Sequence, residues 1–316
     1  MTYGILLLLT APTYAQSFGV EGLETRFSLE FSANVLFSQP VPPTPAWELR
    51  GDLETRYARD AWSFNLALNP GLQVGPRVFT DWGLSEAYAL YRWGDLDLSA
   101  GFERIPLEVA RLSVPYSLEA VSPLGQRQGK LGARLTWNPE NTRLRLAFLE
   151  NPNGWFGLAS LRHEFAGFEL EAHLLAPSGQ LVFGLGGSGT LENLVVYGEV
   201  WGLLPQWRFP QWRYALGLSG NLGEGLWTLE GGYASPLPGQ PPRRFAAAQV
   251  SQPVGLEASW SAVAQLFFDP DGLRSRWAIT YNPLLDAQEA TYTVFVQLGP
   301  ELPSGGVRVA FKLFPE

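Results

Sequence analysis

Alternation of apolar and polar residues constrains this chain more than any other feature. From Leu23 to Phe37, Leu23, Thr25, Phe27, Leu29, Phe31, Ala33, Val35 and Phe37 fall on one face of an extended strand, and Glu24, Arg26, Ser28, Glu30, Ser32 and Asn34 on the other. The next segment repeats it, with Trp47, Leu49, Leu53 and Tyr57 opposing Glu48, Arg50, Asp52, Glu54 and Arg56. A strand face carrying that many charges requires water or charged partners. The same period returns at 62–69, 96–103, 131–137, 143–148, 273–281 and 307–313, and no long stretch carries the three-four spacing of an amphipathic helix. Residues Gln180 to Thr190 and Phe245 to Gln252 alternate only weakly.

Repeated strands that are greasy on one face and charged on the other describe a barrel wall in lipid. We therefore expect an all-β fold: a transmembrane antiparallel up-and-down barrel of about sixteen to eighteen strands, at ~9 to 11 residues per crossing. Trp62, Trp93, Trp137, Trp212 and Trp227 lie near strand ends, where interfacial girdles form. A secreted β-sandwich also alternates, but its polar face meets bulk water on an open sheet. A propeller would repeat every ~40 to 50 residues, and no such repeat is visible.

Composition fits many strands joined by turns: 13% aromatic residues with 12 Trp, 34 Gly, 25 Pro and no Cys. A net charge of −8 carries no nucleic-acid footprint. Gly, Pro or a charge interrupts every apolar run before the ~18 to 20 residues that a spanning helix needs. The first sixteen residues hold an apolar run from Ile5 to Leu9 and a cleavage-like Tyr14-Ala15-Gln16, so 1–16 reads as a signal peptide, without the usual basic start, and 17–316 as the barrel. Arg59-Asp60, Gly94-Asp95, Pro139 to Asn141 and Ala166-Gly167 read as tight turns. Ser38 to Pro45, Asn69 to Asp81, Ile105 to Gly129, Pro205 to Gln211 and Pro236 to Arg243 read as long loops. Short turns on one side and long loops on the other are the rhythm of single-chain outer-membrane barrels.

The stretch Tyr91-Arg92-Trp93-Gly94-Asp95-Leu96, followed by Ala100-Gly101-Phe102-Glu103-Arg104-Ile105-Pro106, resembles a segment of porin-like bacterial outer-membrane barrels. The likeness covers about thirty residues. It implies a channel in the bacterial outer membrane, in contact with its lipid, that passes small hydrophilic solutes, and a trimer as one assembly. It also implies that the third long loop, Ile105 to Gly129, folds into the pore. Glu108, Arg111, Glu119, Arg127 and Lys130 would then stand at a constriction facing the basic wall residues Arg134, Arg143 and Arg145. Opposed charges there would create a transverse field favouring polar over apolar solutes. The terminal strand ends on Phe314, with Pro315-Glu316 displacing the final aromatic that such barrels carry.

Residues that carry catalysis or bind metal are scarce. With two His and no Cys, zinc and thiol redox sites have almost no ligands to draw on, and no cofactor is expected. A hairpin turning at Ala166-Gly167 would set Arg162 opposite Glu171 and Ser160 opposite His173 on the inner face. A polar lumen network explains that arrangement better than an acyl hydrolase, and the chain is not expected to be an enzyme. Asp269-Pro270-Asp271-Gly272 reads as a turn, lacking the further ligands of a calcium loop. The glycines of 184–189 mark a bend or close wall packing. The alternative is a structural barrel plugged by its own side chains that anchors a cell-envelope complex.

Overall fold

The computed structural model describes residues 22–38, 41–105, 107, 112, 120–121, 127–151, 154–177, 180–205, 211–235, 243–255, 258–269, 272–285, 288–298 and 304–313, and the described residues contain no α-helix. The chain runs through β1 (Leu23–Ser38), β2 (Val41–Arg59), β3 (Trp62–Leu68), β4 (Gly71–Val74), β5 (Val78–Asp81), β6 (Leu84–Trp93) and β7 (Leu96–Glu103). Two short strands, β8 (Ala120–Val121) and β9 (Arg127–Gln128), follow, then β10 (Lys130–Trp137), β11 (Thr142–Asn151), β12 (Gly154–Phe165), β13 (Phe168–Leu175) and β14 (Gln180–Leu191). The wall continues with β15 (Leu194–Pro205), β16 (Gln211–Leu222), β17 (Gly225–Ala234) and β18 (Arg243–Pro253). It ends with β19 (Ala258–Asp269), β20 (Gly272–Leu285), β21 (Gln288–Leu298) and β22 (Ser304–Leu313).

Neighbours in sequence pair antiparallel, and β22 pairs back onto β1 from Leu29↔Leu313 to Ser38↔Ser304, which closes the sheet. Closure pairs the first strand with the last, so among the described residues the sheet has no free terminal strand, the condition for strands to span a bilayer. Because β4 prolongs β3 beyond Pro70 and β5 leads into β6, the wall is a closed antiparallel barrel of 18 strands. β8 and β9 pair as a separate two-stranded sheet in the third long connection.

The faces divide as an inverted protein. Along β16, Trp212, Tyr214, Leu216 and Leu218 are 41%, 41%, 64% and 40% exposed, while the intervening Ala215 and Ser219 are fully covered. Buried polar residues, among them Ser28, Ser32, Glu48, Ser99, Glu103, His173, Glu199 and Glu230, take the inner side. Aromatics gather near both ends of the outer wall. Trp62 packs on Phe64 and Tyr91 at the turn end; Phe148 packs on Trp155, and Phe183 on Trp212, at the loop end. These are the interfacial girdles of a barrel in a membrane.

At the short-turn end, Asp60, Gly94, Glu140, Ala166 and Gly167 all adopt positive φ, as hairpin turns matched to the strand twist require. The hairpin at Ala166-Gly167 has the expected register: Phe165↔Phe168, Arg162↔Glu171 and Ser160↔His173.

Two of the loops expected from the sequence are strand instead. Ser38 to Pro45 is no long loop: β2 begins at Val41, and Pro45 pairs with Val35. The prolines fit there because β4 joins β2 only from Trp47 onward, so the first residues of β2 form an edge that donates no ladder bond on that side. Asn69 to Asp81 contains the β4–β5 hairpin, with Val74 opposite Val78. The weakly alternating stretches 180–190 and 245–252 are full wall strands.

Candidate functional site

The inner wall holds Lys130, Arg134, Arg143, Arg145, Arg162 and Glu171 of the charges singled out in the sequence. Arg134 projects from β10 and Arg143 and Arg145 from β11; Arg134 Nε lies 3.2 Å from Glu103 Oε2 on β7. Arg143 Nε donates to Asn138 Oδ1 at 3.2 Å, near the turn end. Arg162 pairs with Glu169 and lies 3.6 Å from Glu171. Lys130 stands directly opposite Glu103, while Arg127 belongs to β9, where its backbone pairs with Val121. Glu108, Arg111 and Glu119 lie outside the described residues.

A second charged strip runs from Glu30, whose Oε1 accepts from Arg308 Nη2 at 2.6 Å over the closing seam, to the Glu48–Arg50 pair on β2. A third strip is basic. Arg243, Gln265, Phe267, Arg274, Arg276 and Gln297 line a cavity of about 230 Å³ on β18–β21. The Arg276 guanidinium sits 6.0 Å from the centre of the Phe295 ring.

His173 is a wall residue bound on several sides. Its Nε2 lies 3.2 Å from Glu171 Oε2, and its ring stacks on Trp201. Trp201 reaches it by lying across Gly184, where a Cβ would press into the indole. Gly184 therefore provides the close wall packing expected of the 184–189 stretch. Trp201 Nε1 in turn donates to the buried Glu199 at 3.2 Å. Ser160 faces His173 across the ladder.

One feature of the wall is not visible in the alternation. Ala147, Leu149, Phe156, Leu158, Leu175, Val182, Trp201 and Leu203 form a buried apolar patch with Ile105 and Leu107. The patch is on the inner face, since Phe148 and Leu174 beside it are exposed outward at 56% and 49%. Ile105 and Leu107 belong to the connection after β7, so its first residues lie against the inside of the barrel. Further along, the Leu112 N–H donates to Glu230 Oε2 on β17 at 2.9 Å, a contact between residues 118 positions apart. The same oxygen accepts from Tyr197 Oη at 3.0 Å. Glu230 and Tyr197 were not singled out by sequence reasoning, because each looks like one more inward polar residue until the pairing between their strands is known.

A closed antiparallel barrel with an apolar outer belt, aromatic girdles near both ends and polar and charged residues on its inner face is the architecture of porin-like outer-membrane β-barrels, whose place is the bacterial outer membrane. No protein-family model and no curated protein matches the chain. Solved structures do. The outer membrane protein OprD of Pseudomonas aeruginosa is similar at a TM-score of 0.69 and 8% identity, over 93% of this chain and 94% of that one. OpdQ of the same organism aligns at 0.66 and 10%, over 92% and 98%. Its OccK2 (OpdF), solved in complex with glucuronate, aligns at 0.65 and 13%, over 92% and 98%. At these identities the likeness is one of fold.

Proposed function

We propose that this chain is an outer-membrane channel for passive diffusion of small hydrophilic solutes, whose bore is narrowed by the connection after β7 and filtered by the charges of its lumen. The observation that carries the reading is the contact of Leu112 with Glu230. It supports a connection that crosses the inside of the barrel instead of capping its mouth. Glu108, Arg111, Glu119 and Arg127 of that connection, with Lys130 at its exit on β10, then stand at the narrow part, with Arg134, Arg143, Arg145, Arg162 and Glu171 on the wall.

The basic strip of Arg243, Arg274 and Arg276 supports entry of small anions along one side, beside Gln265 and Gln297, which can hydrogen-bond hydroxyl groups. The glucuronate held by the similar OccK2 structure is a solute of this kind. Residues 1–16 serve as the export signal, the outer belt meets lipid, and trimers are the assembly to look for. No step of the mechanism is catalytic: charge at the constriction lowers the barrier for solutes that match it and raises it for apolar ones.

Liposome swelling tests the reading. Vesicles carrying the refolded protein should swell in isosmotic small sugars and small carboxylates, faster as the solute gets smaller. Vesicles that stay shrunken in every solute, with the protein demonstrably folded in the bilayer, would refute it. The Glu30–Arg308 and Glu103–Arg134 pairs favour the second reading, a lumen closed by its own ion pairs, and that outcome would select it.

A further inference from the structure

Glu230 occupies a built position. It is 4% exposed, on the inner face of β17, opposite Gly217 of β16, which is itself opposite Tyr197 of β15. A Cβ at Gly217 would collide with the Tyr197 ring. The bare glycine lets Tyr197 lie across an intervening strand and bring its hydroxyl to the Glu230 carboxylate at 3.0 Å. The carboxylate oxygen held by Tyr197 is the one that receives the Leu112 N–H.

We propose that Glu230, steadied by Tyr197 across Gly217, is the positioning residue that fastens the connection after β7 to the far wall and so sets the open cross-section of the lumen. The inference rests on the channel reading above and adds to it the residues that hold the narrowing in place. Among its described residues the connection has two fastenings of different chemistry. Near its start, Ile105 and Leu107 bury themselves in the apolar patch on β11–β15. That contact is non-directional and allows sliding. The second, at Leu112, is a hydrogen bond from a backbone amide to a buried carboxylate, which is short, directional and stronger than a neutral one. The apolar contact brings the segment to the wall, and Glu230 fixes where along the wall it stops. Glu230 needs no contact with the solute to govern which solutes pass.

The test compares the full-length wild type with Glu230→Ala, Glu230→Gln, Tyr197→Phe and Gly217→Val, all refolded and checked for barrel closure by heat-modifiable mobility. Hydrogen exchange at the Leu112 amide, read by NMR in micelles, reports the fastening itself; conductance in planar bilayers reports its consequence. With Glu230→Ala, the Leu112 amide should exchange ~10- to 100-fold faster, the effect of losing one charge-assisted hydrogen bond. Conductance steps should become larger and noisier, with the melting of the barrel little changed. Glu230→Gln retains an acceptor oxygen and should restore most of the protection. Gly217→Val displaces Tyr197 without touching Glu230 and should fall between the two. Unchanged Leu112 exchange in a folded Glu230→Ala protein would overturn the proposal, as would faster exchange with identical conductance steps. A wild type that passes no current would refute the channel reading alone, since the exchange data would still decide the fastening.

Discussion

Trp201 stacks on His173 inside the barrel, with ring centroids 5.2 Å apart and planes within 7° of parallel, although Gly184 stands between them in the ladder. The bare glycine makes the contact possible. Gly184→Val should push the indole away, since even a Cβ would sit about 2.5 Å from Trp201 Cζ3. The cost should be on the order of 1 to 3 kcal/mol, the usual penalty for overpacking. Thermal unfolding followed by heat-modifiable mobility measures it, and a red shift in tryptophan emission should accompany it.

The turn joining β12 to β13 holds Ala166 at φ 50° and Gly167 at φ 82°. An alanine in the left-handed region is strained by roughly 1 kcal/mol, whereas asparagine tolerates that region and favours this turn. Ala166→Asn should therefore raise the unfolding midpoint, and equilibrium urea unfolding in lipid vesicles should show a gain of up to about 1 kcal/mol.

Lipid and lumen should respond oppositely to charge. Leu216, 64% exposed on the outer face of β16, should cost roughly 2 to 4 kcal/mol when replaced by Arg if it lies near the bilayer midplane. Gln249, paired on the inner wall with Thr228 and Val263, should accept Lys with little change. Unfolding free energies of the two variants in the same vesicles check the assignment of faces.

The seam between β1 and β22 is bridged by Arg308 and Glu30. Arg308→Ala and Glu30→Ala should each destabilise the barrel, and the double variant less than their sum. A coupling energy of about 0.5 to 3 kcal/mol from the double-mutant cycle would verify that the pair acts across the closure.

Much of the wall is legible in the sequence, because side chains on a strand must alternate and each strand here has lipid on one side only. The register of the Arg162–Glu171 hairpin can be read from the two residues of its turn. Strand 180–191 looks weak because its own glycines leave the faces empty, and side chains from neighbouring strands fill them: Trp201 over Gly184 and Phe168 over Gly189. The prolines of 42–45 suggest a loop because the sequence does not reveal which strand edges are unpaired. The apolar patch from Ala147 to Leu203 breaks the polar-inside pattern, since it is covered by Ile105 and Leu107, far away in sequence. For the same reason the Glu230 fastening is invisible before the fold: Tyr197 reaches it only through the register of β15, β16 and β17, and Leu112 comes from a connection 118 positions away.

Single-channel recording of the refolded protein in a planar bilayer, with the reversal potential taken in a salt gradient, decides whether the barrel is an open, charge-filtered pore. Discrete, reproducible conductance steps are expected, with an anion preference that weakens when Arg274 or Arg276 is replaced by Gln. A folded, inserted protein that passes no current, or a selectivity indifferent to both replacements, would contradict the charge-filtered pore.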